Sequence, residues 1–561
     1  MKARFLKGVF VFSCTMFPVV FRVPNMASVI GMITAFGLMF RLTFRRNLLE
    51  TVFIDFNKRY GLAAAVLTLT AVSFWCSFFS VLTMAKFTAA CPQLETLNRF
   101  LKIVLWAAAC LPNIVTAPAV FVFFYVFLRR FCSFVMDAVK ESNRVERAYF
   151  IIAFLIASVA VPVVFNKTNV FYEGARNGEM VKCDVIYTAD SGACYASNVH
   201  RNICAFGNDL RQPLFAVFAM PFAFLATLLS TVLFFLPNGY AVFLCLVQIA
   251  LLLFTVVLIS RLFFRCLPSG DSGTEIFFLT AFSLTYPFLL FALMLEQYIF
   301  AVFWLTVFLY CRICEKPEQE SAFLAAAGSL TASWVLLPFA AFSKNLSGLF
   351  RNCFRIGTAF LILVFIAGQF NQLFDLQFLM FIGVKETFAA RFFQFINFVA
   401  LCFSAPETVI TAAPPLLLPY MPVSDAFISW QLAPVTALNI QGLVLIIIAA
   451  IGFLLNRKEP FARLCFFWIL FSFFLLCIIG WGAAENGMIL YTLYFGWAYF
   501  CLILLAVEKI AALLPPPVCK LKYIIYIAVI ITLAVINLSG IYELIQFGIE
   551  YYPSNMLWFT K

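Results

Sequence analysis

The chain has 561 residues, of which 64% are hydrophobic, 18% aromatic and only 11% charged. Soluble domains carry about a quarter charged residues, so one aqueous core cannot hide this much apolar surface. The formal charge of +12 comes from Lys and Arg in short clusters beside apolar runs; that is the pattern of cytoplasmic membrane loops and excludes a nucleic-acid partner.

Many apolar runs reach about 18 residues, enough to span a bilayer as helix, and the short alternating segments of a membrane barrel are absent. The fold class is therefore an all-α polytopic membrane protein. Residues 5–21 read as a retained helix, and further spans follow at about 26–41, 61–86, 102–128 and 148–165. The basic linkers Arg41–Tyr60 and Arg129–Arg147 fall on one side of these spans, which the positive-inside rule makes cytoplasmic. The polar loop Asn166–Gln212 then faces outward. It holds "CDVIYTADSGACYASNVHRN" and the only histidine, His200.

If residues 213–236 crossed the membrane, Arg261, Arg265, Arg312 and Lys316 would all lie outside. A re-entrant hairpin broken at Pro213, Pro221 and Pro237 returns "RLFFR" and "CRICEK" to the cytoplasm instead. Span 276–293 then goes out, span 298–311 comes back, and Glu296 sits at the outer turn. Ala322–Phe342 reads as two short helices bent near "SLTASW". Spans follow at 356–370, 439–455, 464–480, 488–506 and 523–540, with a second outer segment at 371–437 that includes interfacial helices. The total is about thirteen crossings plus re-entrant and juxtamembrane helices.

Most of the 18 cysteines lie singly in apolar runs and act as small hydrophobes. Cys311 and Cys314 have CxxC spacing without a second pair, so they read as a helix end. Cys183, Cys194 and Cys204 share the outer loop, where one disulfide among them would leave a thiol over. There is no Walker A sequence and no HExxH. The ionisable residues gather on one face: Asp184, Asp190, His200, Arg201, Asp209 and Arg211 from the first loop, then Glu296, Lys385, Glu386, Arg391, Glu407 and Glu485. Ionisable groups near a membrane are usually functional when they converge.

"YTADSG" followed by "RQPLFAVFAMP" resembles the first outer loop of bacterial integral-membrane glycosyltransferases of the GT-C superfamily. "LMLEQYIFAVFWL" (Leu293 to Leu305) resembles their short helix pair, and "GAAENGMILYTLYFGW" (Gly482 to Trp497) their late outer turn. The likeness covers roughly 148–506. Gln212 stands where these relatives carry His, and the four spans before residue 130 are additional. The resemblance implies an N-terminal four-helix module (1–147), a GT-C-like catalytic core (148–506) with outer loops 166–212 and 371–437, and a C-terminal helix and tail (507–561). It implies transfer of a sugar from a polyprenyl-phosphate donor in the membrane lipid to a glycan, lipid or protein acceptor, on the outward face of the bacterial cytoplasmic membrane.

In that chemistry a carboxylate takes the acceptor hydroxyl's proton, and cations stabilise the lipid-phosphate leaving group. Asp190 is the candidate base and Asp184 the second. Arg201, Arg211, Lys385 and Arg391 are the phosphate candidates, while Glu296 and Glu485 would bind sugar or orient a cation. His200 reads as a hydrogen-bonding loop residue. No metal ligand set is assigned, although the resemblance leaves room for a divalent cation. The competing class is a secondary transporter or lipid flippase, which would favour mid-membrane charges and pseudo-repeats.

Overall fold

The computed structural model describes residues 7–12, 14–15, 26–45, 47, 51–52, 54–61, 64, 68, 125–126, 129–176, 179–180, 185–202, 210–233, 238–267, 271–367, 369, 382, 386–413, 417–418, 421–422, 427–482, 487–515 and 520–554. It is mostly helical. Among the described residues, seven helices are long and apolar enough to cross a membrane, or eight if one bent pair counts as a span. The chain divides into two compact units, 1–141 with 341–375 and 142–340 with 376–561.

In the first unit, helix Met26–Phe40 packs against helix Leu346–Ile366. The second of these starts ten residues before the expected 356. Phe350 and Phe354 continue an exposed apolar stripe with Leu346 and Leu361, so Arg351 and Arg355 lie on the helix and not in a preceding linker. Asp55 accepts hydrogen bonds from Tyr125, from Arg129 Nη1 at 2.7 Å and from Arg59 Nε at 3.2 Å. The expected spans 5–21, 61–86 and 102–128 lie largely outside the described residues.

The second unit opens with α1 (Arg144–Lys167). Asn143 and Glu146 form a reciprocal capping box: Glu146 N–H donates to Asn143 Oδ1 at 2.9 Å, and Asn143 N–H to Glu146 Oε2 at 3.2 Å. Next come a six-residue helix α2 (Ser191–Ala196), α3 (Phe215–Val232) and α4 (Gly239–Cys266). Arg261, near the end of α4, donates to Glu146 at the start of α1. Asn238, just before α4, reaches the hydroxyl of Tyr172, just after α1. Helices α1 and α4 are therefore antiparallel, and everything between them begins and ends at one end of the bundle.

The break expected at Pro221 is absent: Phe215–Val232 is one continuous helix running through it. The chain enters as loop 210–214, where Leu214 N–H donates to Gly328 O at 2.9 Å, and leaves along α3 towards the loop it came from. Pro221 costs the helix one internal bond, which packing around the buried N-terminal half of α3 tolerates.

The pair α5 (Ser272–Ser283) and α6 (Tyr286–Leu293) returns to the same end, bent by 55°. The cause of the bend is Pro287, whose ring and missing N–H are incompatible with continued helix through Ser283. Helix α7 (Tyr298–Ile313) then runs parallel to α4: Gln248 meets Glu296 O near one end, and Arg265 meets Ile313 O at the other. The basic clusters of "RLFFR" and "CRICEK" thus share the end opposite Glu296. A short α8 (Gln319–Ser329) and the 3-10 turn Thr331–Leu336 make the bend expected at "SLTASW".

Helix α9 (Phe388–Leu401) exposes Phe388, Phe392 and Phe393 in its first half and buries Phe395, Ile396 and Phe398–Leu401 in its second. Strands β1 (Thr408–Ala413) and β2 (Phe427–Leu432) follow as an antiparallel hairpin in register Thr408↔Leu432 to Ala413↔Phe427, an element the sequence reading did not contain. Three helices close the unit's wall: α10 (Ile440–Asn456), α11 (Pro460–Phe473, extended by a π turn to Ile478) and α12 (Thr492–Ala511). Gly452 of α10 is required there, because a Cβ would lie 1.9 Å from Leu502 O. The last helix, α13 (Leu521–Tyr551), has 31 residues, about 46 Å at 1.5 Å per residue, and outreaches a bilayer core of about 30 Å. Its far end meets the end of α1, where Asn169 N–H donates to Tyr552 O.

Candidate functional site

The polar loop is built against the hairpin. Tyr187 N–H donates to Trp430 O at 2.6 Å and Trp430 N–H to Val185 O at 2.8 Å, so residues 185–187 add a short strand to β2. Tyr187 adopts a left-handed φ of 55° there, and its hydroxyl lies 2.6 Å from that of Tyr286, the first residue of α6. Gln431 Nε2 donates to Tyr187 O. These bonds aim the next residues at the turn between α6 and α7.

That turn carries Glu296. Asp190, half-buried, immediately precedes α2. The Glu296 carboxyl accepts from Ser191 Oγ at 3.4 Å and Cys194 Sγ at 3.4 Å, and from the backbone N–H groups of Asp190 and Gln297. Burial pushes its proton affinity well above the usual carboxylate range, and the negative charge of Asp190 pushes it further. Asp190 and Glu296, distant in sequence, are thus an interacting carboxyl pair.

The backbone of the turn is fixed as firmly as its side chain. Gln248 Nε2 donates to Glu296 O at 3.0 Å, and His200 Nε2 lies 3.4 Å from the same oxygen. Leu295 N–H donates to Phe171 O. His200 is buried between the rings of Phe215 and Phe300, and that burial lowers its pKa to about 4. It is therefore neutral at pH 7, a hydrogen-bonding residue as its sequence context suggested.

Around this centre the structure brings some predicted residues together and separates others. Arg211 is half-buried. Its carbonyl accepts from Thr331 N–H, and its charge is felt at the hydroxyls of Tyr298 and Tyr494, which also feel Glu296. Gln212 Nε2 donates to Tyr494 OH at 3.3 Å. Arg201, next in sequence to His200, is held by Asn198 and Thr227. Arg391 donates to Ile478 O at 2.8 Å, on the segment leading to Tyr491, and no described contact joins it to Glu296. Asp184, Asp209, Lys385 and Glu485 lie outside the described residues, as do Cys183 and Cys204. Cys194 directs its thiol at Glu296.

Sequence reasoning singled out Gln212 but missed Gln248 and Gln297. Gln212 Oε1, Gln248 Oε1 and Gln297 Nε2 are buried without a hydrogen-bond partner among the described residues. Leaving such an atom unpaired typically costs about 1–3 kcal/mol, so these three are the polar groups beside the turn whose pairing is incomplete among the described residues. Gln248 was visible as the one amide in the apolar run 239–266. Among the described residues no group of three His, Cys, Asp or Glu could hold a metal ion. No protein-family model, curated protein or solved structure matches the chain.

Proposed function

We propose that the chain is a membrane glycosyltransferase of GT-C type, moving a sugar from a polyprenyl-phosphate donor to an acceptor hydroxyl on the outward face of a bacterial cytoplasmic membrane, with about thirteen crossings in all. The observation that carries this reading is the carboxyl pair Asp190 and Glu296 at the end of the bundle opposite Arg261, Arg265 and Arg312.

The environments of the two carboxyls divide the labour. Asp190, half-exposed, is the base that takes the acceptor's proton as its oxygen bonds to the anomeric carbon. The bond from that carbon to the phosphate oxygen breaks, and its electron pair leaves with the lipid phosphate. Arg211, whose charge acts on the hydroxyls of Tyr298 and Tyr494, supplies positive charge for that developing anion. Glu296 holds its proton and serves as a hydrogen-bond donor to a sugar hydroxyl. The unsatisfied amides of Gln212, Gln248 and Gln297 suit a polyhydroxylated substrate, and the rings of Tyr298 and Tyr494, 5.3 Å apart, suit its apolar faces.

Purified protein in lipid, given polyprenyl-phosphate hexoses and a membrane-glycan acceptor pool, should transfer sugar. Asp190→Asn should slow that transfer by about 10²–10⁴-fold at unchanged melting temperature. Full activity of Asp190→Asn would remove the base, and absence of transfer or donor hydrolysis by the wild type across the donor set would remove the reading.

A further inference from the structure

A half-buried guanidinium usually faces a carboxylate, because a charge taken partly out of water needs compensation. Arg201 has none. Its partners among the described residues are all neutral: Nε and Nη2 donate to Asn198 Oδ1 at 2.9 and 2.6 Å, Nη1 donates to Thr227 Oγ1 at 3.3 Å, and Cζ lies 4.6 Å from the centre of the Tyr240 ring. These contacts fix the plane of the guanidinium without neutralising it, and they leave N–H groups on both terminal nitrogens unspent. Beside it, the Tyr240 hydroxyl is buried with no partner among the described residues, and Tyr195 packs on the same ring at 6.1 Å.

The position of this cation matters as much as its partners. Thr227 lies on α3 one turn from Phe224 and Thr231, at the margin of the face that carries Phe224 and Leu228. Phe224, Leu225 and Leu228 are 39%, 44% and 49% exposed, so this face of α3 is turned to the surrounding lipid. Tyr240 is the second residue of α4, at the same end of the bundle. A fixed positive charge with no carboxylate in contact among the described residues therefore stands beside an exposed apolar strip. That is the complement of an anionic amphiphile, with the headgroup at the guanidinium and the chains along the strip beside it.

We propose that Arg201, with Tyr240 and Thr227, holds the phosphate of an anionic phospholipid from the surrounding membrane, whose acyl chains lie along Phe224, Leu225 and Leu228. The occupant is a lipid and not a free phosphate ion because the apolar strip begins one helical turn from the charge. The site needs neither Asp190 nor a sugar donor, so it stands or falls independently of the transfer reaction.

Native mass spectrometry of the full chain, exchanged into detergent with equal phosphatidylglycerol and phosphatidylcholine, tests it directly. The wild type should retain phosphatidylglycerol in preference, Arg201→Gln should reduce that retention roughly tenfold, and Arg201→Lys should fall between, since it keeps the charge and loses the fork. Millimolar glycerol 3-phosphate should displace the lipid poorly, because it lacks the chains. Equal retention of the two lipids by the wild type overturns the proposal without any variant. So does undiminished phosphatidylglycerol retention by a monodisperse Arg201→Gln protein, and displacement by glycerol 3-phosphate as effective as by lipid overturns the role of the α3 strip.

Discussion

Gln248 donates to the backbone carbonyl of Glu296 at 3.0 Å, so the one amide on α4 fixes the turn that carries the buried carboxyl. His200 approaches the same oxygen from the polar loop. The loop and the bundle therefore meet at one residue, and the protonation states of Glu296 and His200 decide how firmly they hold together.

The two groups should leave opposite marks on stability. Glu296 goes from an ordinary value of 4.5 to about 8 on folding. A raised carboxyl pKa stabilises fully below the ordinary value, and that contribution is lost as pH rises through the raised one. His200 goes from 6.5 to about 4, so its contribution is full above 6.5 and is lost as pH falls through about 4. Melting temperature should thus fall between pH 6.5 and 8 through Glu296 and below pH 4.5 through His200. Glu296→Gln should flatten the alkaline fall and let the acid fall begin at pH 6.5, whereas His200→Gln should flatten the acid fall and let the alkaline fall begin at pH 4.5. An alkaline fall that survives Glu296→Gln assigns it elsewhere.

Sidedness follows from the path of α3. Ala196 and Asn238 flank it at one end of the bundle, while Glu315 follows α7 at the other. Single cysteines at these three exposed positions, in a background stripped of reactive native thiols, should label from one side at Ala196 and Asn238 and from the opposite side at Glu315. Labelling of Asn238 from the side opposite Ala196 would mean that α3 crosses.

Much of this bundle is legible in the sequence because length and hydropathy alone mark a span. Charge parity also placed the two flanks of α3 together before any coordinates did. Glu296 was legible because a carboxylate squeezed between two apolar runs has no loop to excuse it. The hairpin was not, since "TVITAA" and "FISWQL" are short apolar runs that periodicity cannot separate from helix. Nor was the continuity of α3: proline marks a lost hydrogen bond, but whether packing tolerates it is a tertiary question. Gln248 and Gln297 escaped for a related reason, since a lone glutamine hardly moves the mean hydropathy of a helix.

Asn537 of α13 holds the bend between α5 and α6. Its Nδ2 donates to Leu284 O and Phe403 O, and its Oδ1 accepts from Ala405 N–H, each at 2.7 Å. Asn537→Leu keeps the volume but removes the partner of two half-buried backbone groups, Leu284 O and Ala405 N–H. At the lower end of the range for a lost partner, about 1 kcal/mol each, roughly 2 kcal/mol should be lost. Asn537→Asp should be at least as damaging, because it sets an acceptor against two carbonyls. Denaturant unfolding in detergent measures both, and a neutral Asn537→Leu would show that the bend holds itself.

At the opposite end, Arg261 Nη2 lies 2.6 Å from Glu146 Oε2, with the two side chains 13% and 5% exposed. Removing one partner from a buried pair typically costs about 3–5 kcal/mol, mostly as the penalty of the charge left behind. Glu146→Gln isolates that penalty, because glutamine can still reach back to Asn143 N–H and keep the capping box. The single variant should therefore be strongly destabilised although its helix start is intact. Glu146→Gln combined with Arg261→Met should recover much of the loss, since no charge then remains to be compensated. If the double variant is as unstable as the sum of the singles, the pair is not coupled, and the antiparallel packing of α1 on α4 rests on its apolar contacts alone.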